Sequence, residues 1–135
     1  MQAAILLVKL KYLNQWHEQR REKARIYNDN LEGTKGLKIP FVHGYNYHIY
    51  HQYTLRAENR DELQARLKEK EIGFETYYPL PLHLQECFKP LGYKKGDLPI
   101  SEKLSSEVVS LPVFPEITED QQAYVIDTIK GFYSG

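Results

Sequence analysis

The chain has 135 residues, with 18 Lys plus Arg against 18 Asp plus Glu and a formal net charge of zero. That length suits one domain, and 41% hydrophobic with 27% charged residues is ordinary globular usage, which excludes wholesale disorder. The charge balance counts against a duplex nucleic-acid binder, which needs surplus cations to displace counterions, and leaves no polybasic membrane anchor.

The single cysteine, Cys87, excludes an internal disulfide framework and a cysteine-rich zinc site. It fits a reducing cytoplasm, which is the expected location. No apolar run reaches the ~18 residues that a membrane span needs. Residues 1–8, MQAAILLV, are apolar but have neither a basic leading region nor a clean cleavage site, so they do not read as a signal peptide.

In chain order, residues 2–31 predict one long helix. Ala4, Leu7, Val8, Lys11 and Tyr12 step by three and four, as do Leu13, Trp16 and Arg20, with no Pro or Gly between. The charge-dense run 17–25 reads as a solvated face with i,i+4 pairs. Gly33 and Gly36 end the helix. Its first turn is apolar and uncapped, which creates the expectation that the native chain continued upstream.

Residues 47–57 alternate with period two and predict a strand, with Ile49, His51, Tyr53 and Leu55 on one face. Asn59 and Glu62 have the spacing of a capping box, opening a helix with Leu63 and Leu67 as its core stripe. Residues 74–78 predict a second strand, stopped by Pro79 and Pro81. Residues 79–97 form a long irregular segment, of the kind that is functional or disordered; its aromatics and leucines argue against disorder. Residues 98–109 predict a short helix with Pro99 in its first turn, and 110–114 a short extended piece interrupted by Pro112. Thr118 and Gln121 make a second capping-box pattern, ahead of Val125, Ile126, Ile129 and Phe132 on a buried helix face. The resulting order of helices and strands implies an α+β (two-layer α/β) fold with a small sheet packed on helices.

Among chemical motifs, neither phosphate loop, H-E-x-x-H nor G-x-S-x-G occurs. His48 and His51 fall on opposite strand faces, and no metal site is expected from them or from His17, His43 and His83. Cys87 lies four residues from His83 and could be a nucleophile; the plainer reading is a small buried hydrophobe. The cluster that stands out is Tyr77-Tyr78-Pro79-Leu80-Pro81-Leu82-His83-Leu84-Gln85. Two phenols, an imidazole and an amide at a strand end suit hydroxyl-rich or phosphate-bearing ligands. A Pro-rich turn packed by aromatics is the alternative.

The stretch from YYPLPLHLQ through LGYKKGDLP to SLPVFPEIT resembles the C-terminal segment of the DegT/DnrJ/StrS family of pyridoxal-phosphate (PLP)-dependent nucleotide-sugar aminotransferases. MQAAILLVKLKYLNQWHEQRREKARIY is similar to that family's interdomain helix, and YHQYTLRAENRDELQARLKEKEIG to the strand and helix between. The resemblance implies the small C-terminal domain of a type I PLP-dependent transferase fold. Residues 1–32 would be the interdomain helix and 33–135 the small domain, with the large PLP-binding domain absent.

It also implies transfer of an amino group, usually from glutamate, to a nucleotide-linked keto-sugar in cell-surface polysaccharide or glycan synthesis, with the 51–54 and Tyr-Tyr-Pro runs resembling members that act on 3-keto sugars. No lysine here has the context of the family's Schiff-base lysine; Lys9 and Lys11 lie downstream of that motif. The chain alone is therefore expected to lack catalytic residues and transaminase activity and to need no PLP of its own. The resemblance carries Tyr77, Tyr78, His83, Tyr50 and His51 over as substrate-binding candidates. Tyr77 stands where many members have histidine, and a phenol is a poor base at neutral pH.

The family's homodimers, with Ile5, Leu6 and Val8 expected to be exposed, imply self-association. No nucleic-acid or membrane partner is expected. The alternative is a non-catalytic, stand-alone α+β binding module; a regulatory DNA binder is disfavoured by the absence of a basic recognition helix.

Overall fold

The computed structural model describes residues 2–135. The helix expected over 2–31 is two helices, α1 (Gln2–Leu10) and α2 (Leu13–Leu31). No Pro or Gly marks the break. The Lys11 and Tyr12 amides bond only three residues back, to the Val8 and Lys9 carbonyls at 3.3 and 3.0 Å, and the Tyr12 carbonyl starts the next helix by accepting from Trp16. α1 buries no residue, so no packed face holds it in line with α2. α2 by contrast buries Ala24, Tyr27 and Leu31.

The sheet has three antiparallel strands in the order β1-β2-β3: β1 (Leu37–Lys38), β2 (Tyr53–Ala57) and β3 (Val108–Leu111). β2 is central and shorter than the 47–57 expected. Its last partner on β3 is Leu111, opposite Tyr53, and the next residue, Pro112, has no N–H to continue a ladder. Tyr50 also turns the chain with φ 47°. The expected strand at 74–78 is reduced to one bridge between Glu75 and Ser110.

Tyr53, Leu55 and Ala57 alternate inward from β2. They meet Ala24, Tyr27 and Leu31 of α2, Leu63 and Leu67 of α3 (Arg60–Glu69), and Val125, Ile126 and Ile129 of α5 (Glu119–Ser134). Burying each Leu or Ile side chain contributes ~1.5–3 kcal/mol before entropy is subtracted. Tyr53 donates to Asn28 Oδ1 at 2.8 Å, and the Gln122 amide nitrogen donates to the Lys23 carbonyl at 2.6 Å, while Gln122 Oε1 is buried without a partner.

α4 spans Pro99–Glu107, shorter than expected, because Val108 and Val109 join the sheet opposite Arg56 and Leu55. Arg60 donates to the Ser105 and Val108 carbonyls at 3.3 and 3.1 Å, satisfying the end of α4. Of the two expected capping boxes, that of α5 forms, with Gln121 N–H on Thr118 Oγ1 at 3.2 Å and Thr118 N–H on Gln121 Oε1 at 3.0 Å. Asn59 instead takes a left-handed backbone, φ 54°, and makes no side-chain cap. Among the described residues, no helix is long and apolar enough to cross a membrane.

Candidate functional site

Two concavities flank the segment after Glu75. The larger is a groove of about 660 Å³ between residues 77–82 and α4, walled by Tyr78, Leu80, Leu82, Leu98, Ile100 and Leu104 among others. The smaller, about 310 Å³, lies between His51–Gln52, residues 73–75 and the end of β3. Tyr77 lines both and is the wall between them. The chain reaches this place because Glu75 pairs with Ser110, delivering Tyr77 beside the sheet edge, and Pro79 prevents the strand from continuing.

The sequence candidates separate into three situations. Tyr77 and His51 share the smaller cavity, and Tyr78 stands with Tyr77 in the groove, their rings 5.8 Å apart and edge to face. Tyr50 lines neither; it packs between His48, 4.3 Å away, and the core ring of Tyr53, 6.1 Å away. His83 is 6% exposed and also lines neither. Its Nε2 lies 3.0 Å from Glu102 Oε1, and its Nδ1 is buried with no partner.

Glu102 is a residue the sequence reading missed. Its Oε1 also accepts the Gly96 N–H at 2.8 Å, and that bond, followed by the one from His83, holds the Glu102 carboxyl below its ordinary value. Nothing local joins these residues in sequence, so no spacing rule could find them. Gln52 and Glu75 were likewise missed; they enter the smaller cavity only through the pairing of 75 with 110. Cys87 is exposed and is not paired with His83: the thiol's contact is Gln85 Oε1 at 3.9 Å.

The pattern of the DegT/DnrJ/EryC1/StrS aminotransferase family matches residues 1–130. The chain belongs to that family. A pleiotropic regulatory protein of Geobacillus stearothermophilus is 53% identical over 98% of this chain and 36% of its own length. A dTDP-3-amino-3,4,6-trideoxy-alpha-D-glucose transaminase of Streptomyces venezuelae is 34% identical over 96% of this chain and 34% of its own. Among solved structures, S. venezuelae DesV in complex with a ketimine intermediate superposes with a TM-score of 0.97 at 32% identity, over all of this chain and 36% of that one. A family aminotransferase from Brucella abortus superposes with a TM-score of 0.90 at 40% identity, over 99% of this chain and 35% of that one. The chain thus spans about a third of the length of the relatives it matches.

DegT-family aminotransferases depend on PLP in general, and that cofactor is held as an imine to a lysine. The cavities of this family member do not fit it: among the described residues no lysine lines either one, nor does any arginine. They offer phenols, an imidazole, an amide, the Glu75 carboxylate and apolar walls.

Proposed function

We propose that this chain is the small-domain portion of an aminotransferase acting on a nucleotide-linked keto-sugar, with glutamate as amino donor. Its two cavities would form the sugar-nucleotide side of the active cleft. The observation that carries the reading is the place of Tyr77, shared by a polar cavity with His51, Gln52 and Glu75 and an apolar groove with Tyr78. A sugar hydroxyl can be held by donors and acceptors on one side of that ring, and a flatter, less polar group can lie against the other. Named relatives that act on dTDP-linked amino sugars support the substrate class. The amino-transfer chemistry then belongs to protein outside this chain, and the chain's own residues bind, orient and exclude water.

Self-association is part of the proposal. Ile5, Leu6, Leu7, Val8 and Leu10 are all more than half exposed, an apolar helix with nothing on it. A stand-alone binding module is the second reading, favoured by a core built from the chain's own α2, α3, α5, sheet and Ile72.

Titration of the isotope-labelled chain with dTDP-glucose tests the cavity assignment. Resonance shifts confined to the residues lining the two cavities, His51, Gln52, Tyr77 and Tyr78 among them, are expected; shifts elsewhere or none would remove it. An assay with PLP, glutamate and a keto-sugar nucleotide is expected to show no amino transfer by this chain alone, and turnover would overturn the division of labour.

A further inference from the structure

We infer that His83 and Glu102 are positioning residues that set the spacing of the apolar groove, and that His83 does not itself touch ligand. The inference rests on the reading above only for what the groove binds. The two walls of the groove come from chain segments with little else in common. One is residues 77–82; the other is α4 and the residue before it. His83 directly follows Leu82 of the first wall, and Glu102 lies between Ser101 and Leu104 of the second. Their 3.0 Å hydrogen bond therefore runs from wall to wall.

The tie has little competition. Among the described residues, the hydrogen bonds of segment 79–97 stay inside the segment with two exceptions, His83 Nε2 and the Gly96 N–H. Both end on Glu102 Oε1. One carboxylate oxygen thus holds both the start and the end of a long irregular segment to α4. The rest of that segment offers little packing: residues 86–98 are all exposed, whereas His83 is buried, with the Tyr93 ring edge-on at 6.3 Å.

The protonation pattern follows from hydrogen bonding. An ionised carboxylate only accepts, so Nε2 must carry the proton it donates. A second proton on Nδ1 would bury an N–H with no acceptor, because that atom has no partner. The geometry requires a proton on Nε2. Its role is a directed N–H at a fixed reach. Glutamine can present an amide N–H near the Nε2 position; the shorter asparagine cannot reach it.

The test compares His83→Gln, His83→Asn and Glu102→Ala in the 135-residue chain. The readouts are amide hydrogen exchange at Gly96, the Tyr78 and Leu82 resonances, and dTDP-glucose titration. Losing its charged acceptor should speed Gly96 exchange by about tenfold or more in Glu102→Ala, whereas His83→Asn removes only the bond from His83. The groove resonances should move in both, while His83→Gln stays near the parent in every readout. Weaker dTDP-glucose binding by His83→Gln with Gly96 exchange unchanged would overturn the inference, because it would make the imidazole a ligand contact. So would parent-like groove resonances in His83→Asn. Should a variant fail to fold, the long-range nitrogen spectrum of the parent's imidazoles still decides: a His83 Nε2 without its proton refutes the tie. If the parent binds no dTDP-glucose, the substrate reading fails while exchange and tautomer still report on the tie.

Discussion

The Tyr27 hydroxyl donates to the Pro112 carbonyl oxygen at 2.9 Å, fastening α2 to the end of β3 across 85 residues of sequence. The ring below packs on Tyr53, centroids 4.9 Å apart and tilted by 34°. Tyr27→Phe keeps that packing and removes only the donor, leaving the carbonyl without its partner. A loss of ~1–2 kcal/mol is expected, read as a lower urea midpoint at unchanged slope.

Alkaline pH should unfold the chain through its held phenols. Burial raises Tyr133 from the ordinary 10.0 to about 12 and raises Tyr27 and Tyr53 as well. The unfolded chain loses these protons from pH 10 upward while the folded chain retains them. Stability is therefore full below pH 10 and falls as pH climbs toward 12. Phenolate absorbance should show part of the tyrosine signal appearing only together with loss of the helical circular dichroism. Smooth ionisation of every tyrosine in the folded state would contradict this.

Acid should act through the pair at the β2–α4 junction. Arg56 Nε and Nη2 donate to Glu107 Oε2 at 2.9 and 2.7 Å, and this holds the Glu107 carboxyl below the ordinary 4.5. A depressed carboxyl contributes stability that is present above 4.5 and is lost as pH falls through its lower folded value. Glu107→Gln should lower the melting temperature at pH 7 and flatten its decline below pH 4.5.

The two capping-box patterns should respond differently to mutation. Thr118→Ala removes a formed cap and is expected to cost ~1 kcal/mol. Asn59 makes no side-chain cap, and its φ of 54° favours glycine. Asn59→Gly should be neutral or slightly stabilising, whereas Asn59→Val should be destabilising by at least ~1 kcal/mol. Thermal melts of the three variants check the ordering.

α1 contributes no buried residue, so deleting residues 2–10 should leave the unfolding free energy within ~0.5 kcal/mol of the parent. Sedimentation velocity should show a smaller average mass for the shortened chain, because the apolar helix is the proposed association surface. A large loss of stability would place α1 in the fold after all.

What was legible in sequence is what is local. The Thr118–Gln121 box formed because both halves lie within one turn, and its buried stripe of Val125, Ile126 and Ile129 follows from helical period alone. The inward alternation of Tyr53 and Leu55 was equally readable, since a pleated strand with one covered face permits no other choice. Family membership was readable too, because its motifs keep their order along the chain.

Where each pattern stops depended on partners far away in sequence. The alternation 47–57 continues past the point where Pro112 deprives β2 of a neighbour, so half of a good strand pattern is irregular chain. Asn59 and Glu62 have the spacing of a box, yet Asn59 is left-handed and the box is absent. The meeting of Tyr77 with His51, and of His83 with Glu102, was decided by tertiary structure alone. Sequence periodicity encodes which face is buried; the reach of a hydrogen bond between distant segments is set only when the core brings their backbones together.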